Sequence, residues 1–348
     1  MAPATRKKVN LALQGGGAHG AFTWGVLDGL LEDGRIDIEG ISGTSAGAIN
    51  AVMVADGLAR GGPSEACKRL AAFWRAASLD GNLPPLQRAV IDRLFSFLPI
   101  EGSPVQAWFD ALARYWSPYD INPLNLNPLR DVINRFVDFR AVRAFPGPPL
   151  FISATNVHTG RLTVFSRDKI TADVVMASAC LPMFFRAVEI DGVPYWDGGY
   201  LGNPAIFPFF RTTETEDVLL VQINPVERRI TPHSQTEIVN RINEITFNSS
   251  LLAEFRAIDF VVRLIDEGRL PRGMGEGQYR RINVHRIALD SVFDKLTADS
   301  KLESDYEFFE MLREGGRGAL HRFLDEHFDN IGKRSTVDLA AESRAELM

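Results

Sequence analysis

Apolar runs along the first sixty positions are interrupted by glycine-rich breaks. Val9 to Leu13 reads as a buried strand, and Ala21 to Glu32 sets Phe22, Val26, Leu27, Leu30 and Leu31 at helical spacing. Ile36 to Ile41 repeats the strand pattern, and Ala46 to Ala59 reads as an alanine-rich apolar helix. Two consecutive βα units predict an α/β fold with a mostly parallel, doubly wound sheet. Between about Leu79 and Asn127 the pattern breaks into clustered prolines and aromatics such as Trp108, Tyr115 and Trp116, which predicts an insertion of short helices. From Leu150 strands return: Leu150 to Val157 and Arg161 to Ser166 form a hairpin about Gly160. Thr171 to Leu181 reads as a helix, Arg186 to Trp196 as two strands about Asp191-Gly192, and Val218 to Ile223 as a buried strand. Beyond Thr236 the periodicity is helical, with Ile238, Ile242, Ile245, Leu252, Phe255, Ile258, Val262 and Ile265 on one apolar face, and the last dozen residues read as frayed.

Composition narrows the classes of function. A hydrophobic content of 45% and a charged content of 24% are those of a globular protein, and 348 residues suffice for a large core. The net charge of −6 argues against nucleic acid as a partner. No apolar run approaches the roughly 18 residues of a membrane span, so any lipid surface is met peripherally. Cys67 and Cys180 read as reduced core thiols, which suggests a cytoplasmic location.

Candidate chemistry lies in the glycine-rich breaks. Gly43-Thr44-Ser45-Ala46-Gly47 joins a strand to a helix, the setting of a nucleophile elbow in which Gly43 and Gly47 allow a tight turn and Ser45 is exposed to a cleft. The earlier loop, Gly15-x-Gly17-x-x-Gly20, has two readings. It is either a dinucleotide-binding turn, with Asp37 or Glu39 holding a ribose, or an oxyanion hole in which the N–H groups of Gly15, Gly16 and Gly17 converge beside a helix start. Asp197-Gly198-Gly199 follows a strand-like stretch and reads either as an ordinary tight turn or as a positioned base for Ser45.

These blocks, together with Ala177-Ser178-Ala179-Cys180-Leu181-Pro182, resemble in order and spacing the patatin-like phospholipase family from about residue 9 to 210. The resemblance implies a three-layer α/β/α catalytic domain over 9–210, interrupted by the helical insertion at about 79–127. A mostly helical region over 211–335 then packs on the core or extends it. It also implies a serine acyl hydrolase of phospholipase A or lysophospholipase type, with Ser45 as nucleophile, Asp197 as general base, Gly15 to Gly17 as oxyanion hole, and no metal or cofactor. Its substrate would be a lipid or phospholipid ester, and a homo-oligomer is compatible with the long apolar helix face. The family often carries Arg or Lys where this chain has His19.

Two alternatives remain at this stage: a nucleotide-binding oxidoreductase built on the first glycine loop, and a Ser-Asp-His esterase. The second needs one of His233, His285, His321 or His327, all of which follow Asp197 in the chain.

Overall fold

In the computed structural model, residues 6–78, 117–121, 128–182, 185–228, 231–289 and 305–343 are described. The expected insertion at 79–127 falls almost wholly outside them. One mixed sheet organises the chain. Its strands are β1 (Lys7–Leu13), β2 (Ile36–Gly43), β3 (Leu150–Asn156), β4 (Arg161–Ser166), β5 (Val188–Ile190), β6 (Val193–Asp197), β7 (Asp217–Gln222) and β8 (Asn283–Ala288). Their order is β5-β6-β3-β2-β1-β7-β8, with β4 paired to β3. The stretch β3-β2-β1-β7-β8 is parallel, and β4, β5 and β6 run antiparallel to their neighbours.

Side-chain alternation along the central strands divides the core into two layers. Val9, Leu11 and Leu13 of β1 and Leu219 and Val221 of β7 point to one face. Ala12, Val218 and Leu220 point to the other. On the first face lie α1 (Gly20–Asp33), α2 (Ala46–Gly61) and α3 (Pro63–Ala77), with α4 (Pro128–Phe136), α5 (Phe139–Ala144) and α6 (Ala172–Ser178) toward the β3 side. The second face is covered by α7 (Gln235–Asp266) through Leu251, Phe255 and Ile258. Of the later helices, α8 (Tyr306–His327) returns to the first face and packs along α1, with Phe309 edge-on to Trp74 at 5.1 Å, and α9 (Leu339–Ser343) closes against α7. β7 and β8 thus continue the sheet beyond β1, and α7 packs on its second face.

Three expectations need correction. Residues 283–288 form the edge strand β8 inside a region whose pattern predicts helix, because His285 and Arg286 break the apolar alternation. The stripe read from the sequence is buried only in its second half: Phe255 and Ile258 are buried, whereas Ile238, Ile242 and Ile245 are 42%, 54% and 54% exposed and Phe247 and Leu251 are turned inward instead. Near the C-terminus, Val337 and Leu339 are buried in the second core layer rather than frayed.

Among the described residues, no helix is long and apolar enough to cross a membrane.

Candidate active site

Strand register brings three loops to one height. Leu13 is paired with Gly43 on one side and Val221 on the other, so the glycine loop after β1 and the turn after β2 leave the sheet together. Gly43 is paired with Ile152 of β3, and on the far side of β3 Ala154 is paired with Asp197, the last residue of β6. Ser45, two residues beyond Gly43, and Asp197 therefore stand level, on either side of β3.

Ser45 is the residue between β2 and α2, held at φ 53° and ψ −121°. Positive φ at a non-glycine residue costs on the order of 1–3 kcal/mol and persists only where the surroundings enforce it. Several contacts enforce it here. The Ser45 N–H donates to Ser178 Oγ at 2.9 Å, the Thr44 hydroxyl donates to the Gly202 carbonyl at 2.7 Å, and the Gly47 N–H donates to the Thr44 carbonyl at 2.8 Å. Close approach requires the flanking glycines: a Cβ on Gly47 would lie 2.2 Å from the Leu13 carbonyl oxygen, and one on Gly43 2.5 Å from that of Gly47. Gly20 plays the same part at the start of α1, where a Cβ would meet that of Ala46 at 2.8 Å.

Asp197 is wholly buried. Its N–H donates to the Cys180 carbonyl at 2.8 Å, its carbonyl accepts from the Thr155 hydroxyl at 2.8 Å, and its Oδ1 accepts the Gly199 N–H at 2.7 Å. Gly198 crosses β3 so closely that a Cβ would lie 2.3 Å from the Ser153 carbonyl oxygen. Burial pushes the carboxyl up from 3.8 to about 7, opposed by the Gly199 N–H and the Ser45 hydroxyl, which favour the ionised form. The hydroxyl is near enough to act on that charge, yet Oδ2 has no hydrogen bond of full geometry among the described residues. The Ser45–Asp197 contact is a loose one, as pairs of this kind commonly are without substrate.

The glycine loop abuts the elbow. A Cβ on Gly15 would stand 2.7 Å from that of Ser45. One expectation is revised here: the Gly15 N–H donates to Asn203 Oδ1 at 2.7 Å and is not available to a substrate oxygen. Gly16 is extended, Gly17 takes a left-handed φ of 59°, and neither N–H has a hydrogen-bond partner among the described residues. Carboxamides hold the loop from behind. Gln14 Oε1 accepts the N–H groups of Ile223 and Asn224 at 2.9 and 2.8 Å, its Nε2 donates to Asn248 Oδ1 at 2.9 Å, and Asn224 Nδ2 donates to the Gly15 carbonyl. His19 is buried at the turn into α1.

Ser178, Asn203, Asn224, Gln14 and Asn248 escaped the sequence reading as site residues. Gln14 and Asn224 had a visible signal, since each is a polar residue closing an apolar strand at its carboxyl end.

A family model described as patatin-like phospholipase matches residues 11–210, more than half of the chain. The chain belongs to the patatin-like phospholipase family. Hydrolysis of lipid esters is accordingly its general chemistry. No curated protein matches it. Among solved structures, VipD from Legionella pneumophila is 16% identical with a TM-score of 0.41, over 93% of this chain and 67% of that one. The heterodimeric complex ExoU-SpcU from the type III secretion system of Pseudomonas aeruginosa is 16% identical with a TM-score of 0.31, over 98% of this chain and 66% of that one. This patatin-like chain thus spans about two thirds of the length of either.

The residues of the two alternatives lie away from the crevice. Asp37 and Glu39 are toward the amino end of β2, where Asp37 is paired with Arg6 and Glu39 accepts the N–H groups of Glu214 and Thr215. His285 is buried with Nε2 2.9 Å from Asp217 Oδ1 and Nδ1 3.3 Å from Thr336 Oγ1. His327 is against Phe323 and Asn330, and His233 and His321 are exposed.

Proposed function

We propose that this protein is a phospholipase A or lysophospholipase-type hydrolase that works through a Ser45–Asp197 dyad, with the Gly16 and Gly17 N–H groups as the oxyanion hole. The observation that carries the reading is the Asp197 carboxyl, wholly buried, level with Ser45 and raised to about 7. A base with that affinity is divided between its two forms near neutrality, which suits it to take and return a proton.

As Ser45 Oγ bonds to the acyl carbon, its proton passes to the Asp197 carboxylate. The carbonyl oxygen becomes an oxyanion facing the Gly16 and Gly17 N–H groups, beside the amino end of α1. Collapse breaks the bond to the alcohol oxygen, and the leaving alcohol, a lysolipid or glycerol phosphate, takes the proton from Asp197. Water repeats the cycle: Asp197 takes its proton, the oxygen adds to the acyl carbon, and Ser45 leaves with the proton as the fatty acid departs. The chemistry needs neither metal nor cofactor.

Substrate would be drawn from a lipid surface met peripherally. The free thiols Cys67 and Cys180, the latter pushed up to about 12 by burial, suit a cytoplasmic location.

Labelling with a long-chain organophosphonate tests the dyad. Covalent capture at Ser45 that is abolished by Asp197→Asn supports it; capture elsewhere, or turnover retained by Ser45→Ala, refutes it.

A further inference from the structure

Asp197 enters the site from β6, whereas the glycine loop leaves β1, and β3 and β2 lie between them. The chain after Asp197 bridges that gap as a strap. Gly198 passes over the Ser153 carbonyl of β3, the Gly202 carbonyl accepts the Thr44 hydroxyl of the elbow, and Asn203 reaches the loop of β1. There Asn203, wholly buried, makes a two-way contact with a single residue: Oδ1 accepts the Gly15 N–H at 2.7 Å and Nδ2 donates to the Gly15 carbonyl at 3.3 Å. Asn203 is itself held, its N–H donating to Ser250 Oγ at 3.2 Å.

We infer that Asn203 is a positioning residue for the oxyanion hole, tying the Gly15 peptide to the strap that carries the base and so aiming the next two N–H groups, those of Gly16 and Gly17. The inference rests on the Ser45–Asp197 reading. Its physical basis is that an oxyanion donor is effective only when fixed in advance. Glycine-rich backbone has many accessible conformations, so something outside the loop must select one. Gly15 is the last residue before the donors, and the clamp holds both its polar groups. It also explains why the Gly15 N–H, the first of three consecutive glycine donors, is withheld from substrate. The same strap touches elbow, base and oxyanion loop, so a displacement of one is transmitted to the others.

The test is Asn203→Leu, close to isosteric and unable to hydrogen-bond, assayed on a soluble long-chain ester. Loss of one well-aimed oxyanion donor typically lowers kcat by about 10²- to 10³-fold. The expected result is a fall in kcat of about 10²-fold with KM within about twofold. Affinity for a long-chain trifluoromethyl ketone, which binds as a tetrahedral adduct, should fall in proportion, and affinity for the matching alcohol should not change. A destabilised fold alone would lower the active fraction and leave that affinity ratio untouched. Should Asn203→Leu fail to fold, Asn224→Ala loosens the same Gly15 carbonyl from the other side and should show the same split in weaker form. A folded variant with unchanged kcat, or equal losses for ketone and alcohol, overturns the inference. Activity retained by Ser45→Ala would instead overturn the dyad itself, so the two failures are distinct.

Discussion

Replacing Asp197 by Asn should stabilise the protein at alkaline pH while abolishing turnover. The unfolded chain releases the Asp197 proton near the ordinary value of 3.8, and the folded chain holds it to about 7. Between these values the unfolded state binds fewer protons than the folded state, so stability falls as pH rises, and above about 7 the full penalty remains. At about 1.4 kcal/mol per pH unit, the interval from 3.8 to about 7 corresponds to about 4 kcal/mol, an upper figure because water entering the site would reduce it. Asparagine keeps the shape and an acceptor for the Gly199 N–H but carries no charge. Urea unfolding of both proteins should therefore coincide near pH 4 and diverge with rising pH, with Asp197→Asn more stable by as much as about 4 kcal/mol at pH 8. Glu254, also raised to about 7 by burial, is common to both proteins and cancels in the difference. The same ionisation predicts that kcat/KM of the unaltered enzyme rises about tenfold per pH unit below 7 and then levels. A stability difference that stays constant from pH 5 to pH 8 would refute the reasoning, since the carboxyl would then ionise in the folded state as it does in water.

Other perturbations read separate parts of the site. Ser178→Ala removes the acceptor of the buried Ser45 N–H and should cost about 1–3 kcal/mol in chemical unfolding, with a fall in kcat as the elbow relaxes. Gly47→Ala drives a Cβ against the Leu13 carbonyl at 2.2 Å and should destabilise the protein by about 3 kcal/mol or more, read as a lowered Tm. His285→Ala removes one partner of Asp217 and should lower stability by about 1–3 kcal/mol while turnover per folded molecule is kept. Loss of turnover in a folded His285→Ala protein would restore the case for a triad.

The βα units were readable because their apolar periodicity is unbroken and glycines mark where backbones meet. Gly43 to Gly47 could be assigned to a strand-to-helix turn for that reason, and Ser45 with it. Asp197 was harder, since an Asp-Gly-Gly run is also what an ordinary turn uses; what supports the proposed role is its burial and its register across β3, neither of which is a local property. Strand β8 was hidden because His285 satisfies a buried partner, Asp217, that lies 68 residues earlier. The stripe Ile238, Ile242, Ile245 misled for the converse reason: periodicity gives a face but not which way it turns, and the turn of α7 is fixed by Phe247 against Tyr200 at 5.4 Å. The role of Asn203 depends on a contact 188 residues away with Gly15, and no local pattern announces it.

The pairing of β1 with β7 bears on how the enzyme comes to life on the ribosome. Gln14, which anchors the glycine loop, takes both its backbone donors from Ile223 and Asn224, and α7 supplies Asn248 behind it. Residues 11–210 carry the match to the family, yet a nascent chain ending there lacks the strand and helix that brace the glycine loop. Activity should therefore be absent from translation-arrested chains ending at residue 210 and appear only once α7 has cleared the exit tunnel. A lipid hydrolase built this way would gain its chemistry only after most of it has been made.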